Sequence, residues 1–382
     1  MLKTSKMKRR VALIIHSLGI GGMERVMSQL ANHFADKIED DIHIILIGKK
    51  REVMYHISES VQIYKPNFDF RNQRRIIDTV RTIVFLRYTV KKINPDVILS
   101  FGEIWNNLVL IALKGVKVPI FISDRSQPGK DLGNIHNYLR KKLYPGAAGY
   151  IAQTRKAKRI CINMGWNKNV KVIGNPIHKV APNNNFQKEN IVLSVGRLIK
   201  TKHFDQLIKM FVEVAPLGWK LIVVGGDAKK QNGLEELQNL VKELGADEQV
   251  FLEGKQKNID YYYQKSKIFA FTSSSEGFPN VIGEALSSGL PVVSYDCIAG
   301  PSDMIEDRKN GFLVPLFDQE KFKKRLSELM ENEELRKKIS DKAGASITRF
   351  NENRIGNQFY QFMMTANPTI SNTISKSDEN YN

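Results

Sequence analysis

Two glutamates, Glu276 and Glu284, stand near the ends of the run Ser273-Ser274-Ser275-Glu276-Gly277-Phe278-Pro279-Asn280-Val281-Ile282-Gly283-Glu284-Ala285-Leu286. The apolar stretch Ile268–Thr272 leads into it as a strand would, and Pro279 suits the first turn of a helix, where its missing N–H leaves nothing unpaired. Unpaired amides at such a helix start, aligned with the macrodipole, form an anion site worth roughly 0.3–1 kcal/mol per charge before direct hydrogen bonds. The two carboxylates bracket that site, and a carboxylate accepts paired hydrogen bonds from vicinal hydroxyls. The chemistry implied is a phosphate held at the helix start, with one acid on each side for the hydroxyl groups of a sugar and of a ribose.

A second segment supplies the cations. Ser194-Val195-Gly196-Arg197-Leu198 follows the β-branched run Ile191–Val195, and Lys202 comes about one helical turn later. Arg197 therefore leaves the carboxyl end of a buried strand, the edge at which α/β sheets bind ligands. No Asp-x-Asp triplet is present to hold a divalent ion against a diphosphate. Arg197, Lys202 and the helix amides are left to stabilise that charge, and no metal or other cofactor is expected.

A third segment, Gly19-Ile20-Gly21-Gly22-Met23-Glu24, follows the run Val11–Ser17. Its glycines permit a tight turn and close approach of backbone to ligand. It is not a dinucleotide fingerprint, because Glu24 stands where the third glycine belongs, and the second strand ends at Ile47-Gly48-Lys49 without a ribose-binding acid. A nicotinamide-dependent dehydrogenase is thereby disfavoured.

The elements that must position these groups read as buried parallel strands between amphipathic helices: Val11–Ser17, Ile42–Ile47, Val97–Ser100 and Ile120–Ser123, then Ile191–Val195, Leu221–Val224, Val250–Leu252, Ile268–Thr272 and Pro291–Ser294. The pattern starts twice, which with 382 residues predicts two domains. The expected division is residues 1–180, a polar linker over 181–190, a second domain over 191–349, an aromatic-rich helix over 350–366 and a disordered tail over 367–382.

Charge is divided unevenly. Residues 1–188 hold 33 Lys+Arg against 13 Asp+Glu, whereas residues 189–382 hold 25 against 27. The two halves therefore meet different partners. Within the basic half, Phe70–Ile93 interleaves Arg71, Arg74, Arg75, Arg81, Arg87, Lys91 and Lys92 with Ile76, Ile77, Val80, Ile83, Val84 and Val90, an amphipathic pattern fit for an anionic bilayer or a lipid pyrophosphate. The opposing reading is an ordinary helix covering its sheet with that apolar stripe. Cys161 and Cys297 show no metal-ligand spacing, and no run of roughly 20 apolar residues predicts a membrane span. The expected location is cytoplasmic, peripheral on the inner face of the cell membrane.

Taken in order, the three segments resemble the retaining glycosyltransferases of the GT-B fold, family 4, which act in bacterial capsule, lipopolysaccharide and lipid-linked oligosaccharide assembly. The resemblance covers Val11 to about Ala366. It implies two Rossmann-like α/β domains with parallel sheets facing across a cleft, and a C-terminal helix crossing back to the first. It implies that Glu276 faces the transferred sugar and Glu284 the ribose, with Arg197, Lys202 and the amides of Gly277, Phe278 and Asn280 on the donor diphosphate. Gly21 and Gly22 match the first-domain loop against donor phosphate and acceptor. Gly254-Lys255 match the backbone contact to the base, and Asn175-Pro176 the step before the linker.

One segment departs from the family pattern. Where many relatives carry a histidine or acid near the reacting centre, this chain has Ile122-Ser123-Asp124-Arg125-Ser126-Gln127-Pro128, leaving Asp124 or Arg125 for that work, with turn capping by Asp124 as the structural alternative. The implied reaction moves a sugar, with retained anomeric configuration, from a nucleotide sugar, UDP-linked by expectation, to a lipid-linked or glycan acceptor. A nucleotide-sugar epimerase of the same fold fits the spacings less well. Nucleic-acid binding by the basic half lacks a recognisable module, so no nucleic-acid partner is expected.

Overall fold

The computed structural model describes residues 8–49, 51–181, 187–228 and 231–365. Residues 182–186 of the expected linker and the whole tail over 367–382 lie outside the described residues. The chain divides into two units, Met1–Pro176 with Glu352–Asn382, and Ile177–Asn351. The sequence reading put the boundary near 180–190; the packing changes hands after Pro176.

In the first unit, Arg10–Ile15 (β1), Asp41–Leu46 (β2), Gln62–Tyr64 (β3), Val97–Phe101 (β4), Ile120–Ser123 (β5), Gly149–Ala152 (β6) and Val170–Val172 (β7) form a parallel sheet in the order β3-β2-β1-β4-β5-β6-β7. Its helices are Gly22–Asp36 (α1), Arg75–Ile93 (α2), Glu103–Ala112 (α3), Asn134–Leu143 (α4) and Arg155–Asn163 (α5). Val11, Ala12, Leu13, Ile14 and Ile15 are fully buried, as a central strand covered on both faces requires.

The second unit repeats the plan. Ile191–Val195 (β8), Lys220–Val224 (β9), Val250–Gly254 (β10), Ile268–Phe271 (β11), Val292–Tyr295 (β12) and Gly311–Val314 (β13) run parallel in the order β10-β9-β8-β11-β12-β13. Phe204–Val214 (α6), Gly233–Glu243 (α7), Ile259–Lys265 (α8), Asn280–Ser287 (α9), Pro301–Met304 (α10), Gln319–Glu331 (α11) and Glu333–Ser346 (α12) are its helices. Both sheets reverse their winding beside the first strand, between β1 and β4 and between β8 and β11, where an α/β sheet opens a crevice at its carboxyl edge.

The last helix, Glu352–Thr365 (α13), packs on the first unit. Tyr360 donates to Asp40 Oδ2 at 2.6 Å, and His33 Nε2 meets Asn357 Oδ1 at 2.9 Å. The ring of Phe362 meets Phe121 edge-on at 5.3 Å. Phe350, expected in this helix, instead ends a short 3-10 turn of the second unit, with its ring 5.4 Å from that of Phe278.

Candidate functional site

The groups singled out in the second half of the chain gather at the carboxyl edge of the second sheet. Lys202 ends a 3-10 turn, Lys200–Lys202, that carries the chain from β8 towards α6, and Glu276 lies in the loop from β11 to α9. These two strands flank the reversal point, and the side chains close across it: Lys202 Nζ is paired with Glu276 Oε1, each side chain only 14% exposed. Lys202 Nζ also lies 5.4 Å from the centre of the Phe271 ring. The two loops are bonded along their length, with Ser274 N to Thr201 O at 2.9 Å, Thr272 Oγ1 to Lys202 O at 2.8 Å and His203 Nε2 to Ser274 Oγ at 2.8 Å. A cation and an acid are thus fixed before any ligand arrives, the condition under which charge stabilisation needs little reorganisation.

Arg197 is exposed in the same loop as Lys202, and the Lys202 side chain runs back over Gly196, where a methyl group would sit 3.4 Å from its Cε. Glu284 lies one turn inside α9, 7% exposed, and accepts from the Tyr263 hydroxyl at 3.1 Å. Exposed Lys255 follows β10, whose last residue accepts from Gly225 N at 2.8 Å. The chain leaving β9 therefore rests on Gly254-Lys255.

Two local expectations need correcting. Pro279 is the N-cap residue, and the helix begins at Asn280. The Asn280 amide, expected to meet phosphate, donates to Phe278 O at 3.0 Å, so it is engaged within the turn. Behind that turn lies Gly300, held at φ +105°, where a β-carbon would fall 2.1 Å from Pro279 Cδ. The start of α9 is therefore set by a contact that only glycine at 300 allows. A cleft of about 730 Å³ beside the starts of α6 and α7 shares Lys200 and His203 with this region but neither glutamate.

The first unit holds Gly21 and Gly22 at the start of α1. The Tyr55 hydroxyl lies 3.0 Å from Gly21 N and 2.9 Å from Gly21 O, so the turn is clamped from one side. Asp124, expected near a reacting centre or as a turn cap, is an enclosed carboxylate. It is 8% exposed, and its Oδ1 accepts from Tyr144 Oη at 2.7 Å and Asn106 Nδ2 at 3.1 Å, with Arg140 Nε 3.9 Å from Oδ2. Burial, then the charge of Glu103, raise its pKa to about 7. It acts as an internal pin between elements and does not cap a turn.

Arg125 is likewise enclosed, with its guanidinium 4.2 Å from the Phe101 ring centre and 2.5 Å from Asn175 Oδ1, and desolvation lowers its pKa to about 9. Glu103 holds this loop by accepting from Ser126 N at 2.7 Å and Arg125 N at 3.0 Å.

Sequence reasoning missed two arrangements. Tyr263 meets Glu284 from another helix, with no motif to announce it. His16, just after β1, stacks on Trp105 at 5.6 Å with its Nε2 3.2 Å from Glu24 Oε1; a histidine at the carboxyl end of the first strand was the available signal.

Comparison with known proteins assigns the chain. Residues 20–179 match the profile described as Glycosyltransferase Family 4, and residues 177–345 that described as Glycosyl transferases group 1. The amylovoran biosynthesis glycosyltransferase AmsD of Erwinia amylovora is 30% identical over 333 residues, covering 85% of this chain and 90% of AmsD. The chain belongs to glycosyltransferase family 4. The glycosyltransferase is also 28% identical over 374 residues to the N-acetylgalactosamine-N,N'-diacetylbacillosaminyl-diphospho-undecaprenol 4-alpha-N-acetylgalactosaminyltransferase of Campylobacter jejuni, covering 93% of this chain and all of that protein (100%). Among solved structures, HepE of Anabaena in complex with UDP superposes with a TM-score of 0.77 at 18% identity, over 92% of this chain and 98% of HepE. The fold of this glycosyltransferase is accordingly the GT-B type, each unit built on a parallel sheet.

Proposed function

We propose that this glycosyltransferase transfers a sugar, with retention, from a UDP-sugar to a membrane-anchored glycan acceptor in bacterial surface polysaccharide or lipid-linked oligosaccharide assembly. The reading rests on the ion pair of Lys202 with Glu276 across the reversal point of the second sheet, beside exposed Arg197. Lys202 and Arg197 neutralise the donor diphosphate without a metal ion, Glu276 accepts hydroxyls of the transferred sugar, and Glu284 those of the ribose. The amides of Gly277 and Phe278 complete the phosphate contacts. The names of the Erwinia and Campylobacter relatives support the acceptor class, and the UDP in HepE supports the donor base.

The chemical step is a substitution on one face of the sugar. The bond from the anomeric carbon to the diphosphate oxygen breaks, the acceptor hydroxyl oxygen bonds to the same face, and its proton goes to the departing phosphate oxygen. The protein contributes position and charge stabilisation. The enzyme works at the inner face of the membrane, where anionic lipid attracts its basic half.

The test is a panel of UDP- and GDP-sugars scored for transfer and hydrolysis, with the product anomer read by NMR. Arg197→Ala and Lys202→Ala should each lower kcat by about 10²-fold or more. Wild-type rates in both variants would refute the site, and an inverted anomer would refute the one-face substitution.

A further inference from the structure

Positive φ strains a residue that carries a side chain, and among the described residues five non-glycines adopt it: Glu39, Asn94, His203, Arg308 and Phe317. Two of the five touch. The rings of His203, at φ +51°, and Phe317, at φ +66°, meet edge-on with their centres 5.1 Å apart. His203 directly follows Lys202 and is the N-cap residue of α6, yet its side chain makes no capping hydrogen bond to that helix. Serine or asparagine would cap α6 better, and glycine would take the left-handed backbone with less strain. Capping therefore does not account for an imidazole at this position.

The side chain serves the neighbouring loop instead. Its Nε2 lies 2.8 Å from Ser274 Oγ, two residues before Glu276. The same ring rests against Phe317, whose own ring is 6.1 Å from that of Tyr295, a fully buried residue of β12. Phe317 is fixed within its turn by Asp318 N to Pro315 O at 3.1 Å and Gln319 N to Phe317 O at 2.9 Å. Contacts thus run from the core of the second sheet through Phe317 and His203 to Ser274. Backbone bonds to Thr201 and Lys202 hold the loop only as far as that residue's root, at Thr272 and Ser274. Beyond Ser274 the chain is neither helix nor strand until α9 begins at Asn280. Glu276 has to stay opposite Lys202 within that stretch, and a misplacement of about 1 Å costs on the order of 10²-fold in rate.

We infer that His203 is a positioning residue: braced by Phe317, it holds the loop of Glu276 through Ser274 and so sets that acid for the hydroxyl groups of the transferred sugar. The backbone strain at residues 203 and 317 is what aims the two rings at that loop. The inference rests on the donor site proposed above and adds the side chain that keeps its sugar-side acid in place.

The experiment is titration calorimetry of the full chain with UDP and with UDP-glucose, UDP-galactose, UDP-N-acetylglucosamine and UDP-N-acetylgalactosamine. His203→Gly, His203→Gln, Ser274→Ala and Glu276→Ala are compared with wild type, with a thermal melt as the folding check. Glycine at 203 keeps the left-handed backbone, and should either that variant or Ser274→Ala unfold, the other carries the same expectation. Wild type should bind one of the four sugars about tenfold or more tighter than the weakest, an advantage that Glu276→Ala removes. His203→Gly and Ser274→Ala should each shrink that advantage by about fivefold or more while UDP itself binds within about threefold of wild type. His203→Gln, whose amide can donate to or accept from Ser274, should restore it. Each ratio of affinities is taken on one preparation, so a partly unfolded sample does not mimic the loss. Wild-type discrimination in folded His203→Gly, a loss that Ser274→Ala does not share, or one that glutamine fails to restore overturns the positioning role and leaves the donor site standing. A UDP affinity lowered about tenfold in His203→Gly alone would put the imidazole on the diphosphate and overturn that role too. Wild type without sugar discrimination overturns the sugar-facing part of Glu276 and this inference with it, and wild type that does not bind UDP overturns the donor site itself.

Discussion

Replacing Gly300 by alanine tests whether the start of α9 is set by the loop behind it. At φ +105° the backbone of residue 300 lies where a side chain is strained, and the new β-carbon would lie 2.1 Å from Pro279 Cδ and 2.9 Å from its Cγ. The backbone term costs roughly 1–3 kcal/mol and the overlap another 1–3 kcal/mol, depending on how far the turn gives way. For the second unit, Ile177–Asn351, a loss of about 3 kcal/mol lowers the melting temperature by roughly 6–12 °C. Gly245→Ala is the matched control: φ there is +61°, and nothing lies within 4 Å of the added carbon, so only backbone strain of about 1–2 kcal/mol applies. Relief of the clash must move Pro279, and with it the amides of Gly277 and Phe278. UDP affinity, read by calorimetry at a temperature where both variants are folded, should fall about tenfold or more in Gly300→Ala and stay at the wild-type value in Gly245→Ala. Equal melting temperatures for the two variants would refute the steric argument. A lowered melting temperature with unchanged UDP affinity would refute the placement of the donor phosphates at the start of α9.

Two further outcomes are expected. Because burial raises Asp124 from 3.8 to about 7, the folded state binds its proton more tightly than the unfolded chain between those values, so stability falls as pH rises through that window. From pH 5 to pH 7 the loss is about 2 kcal/mol, and Asp124→Asn should remove that slope in urea titrations followed by tryptophan fluorescence; an unchanged slope would show that another group carries it. Tyr263→Phe removes the hydroxyl 3.1 Å from the buried Glu284 carboxylate, which should cost about 1–3 kcal/mol of stability and raise the donor KM more than it lowers kcat; an unchanged KM would separate Glu284 from the ribose.

How much of the molecule is legible in the sequence depends on how local each signal is. The run Ile191–Val195 is a strand from end to end because Ile191, Val192, Leu193 and Val195, with only the small Ser194 among them, report burial on both faces. The strands β3, β6, β7 and β13 were not foreseen: Val170-Lys171-Val172 and Gly149-Tyr150-Ile151-Ala152 are too short or too small-residued to show a period, and their neighbours in the sheet make them strands. Helix α2 was legible as a helix but its orientation was not, since both faces repeat at helical spacing. The inward choice of Asp78 and Thr82 looks wrong on polarity alone. It is tolerated because Asp78 accepts from Arg71 N and Thr82 Oγ1 donates to Asp78 O at 2.7 Å, leaving those atoms partnered. At the site, Lys202 and Glu276 were marked by the loops they occupy, each running from a buried strand into a helix. The setting of Asp124 was hidden because Asn106, Arg140 and Tyr144 reach it from separate elements.

The two units share a plan yet differ in what closes the crevice at the reversal point, and this difference decides which of them suits a nucleotide diphosphate. In both, the chain leaving the second strand presses on the chain leaving the first: a β-carbon at Gly48 would lie 2.4 Å from His16 O, and one at Gly225 only 1.7 Å from Gly196 O. That contact fixes the loop after β1 and after β8 in equivalent positions. Beyond it the chemistry of the two crevices diverges. Beside β8 and β11, a lysine and a glutamate close the crevice, with an arginine exposed next to them, the lysine and arginine being the cations that the proposed donor diphosphate requires. Beside β1 and β4, the rings of His16 and Trp105 lie nearly parallel, 4° between planes, with Glu24 on the imidazole. An acid and a stacked aromatic pair repel or ignore a diphosphate but suit hydroxyl groups and the apolar face of a sugar ring. The excess of positive charge in the first half therefore does not mark a second nucleotide site at this crevice.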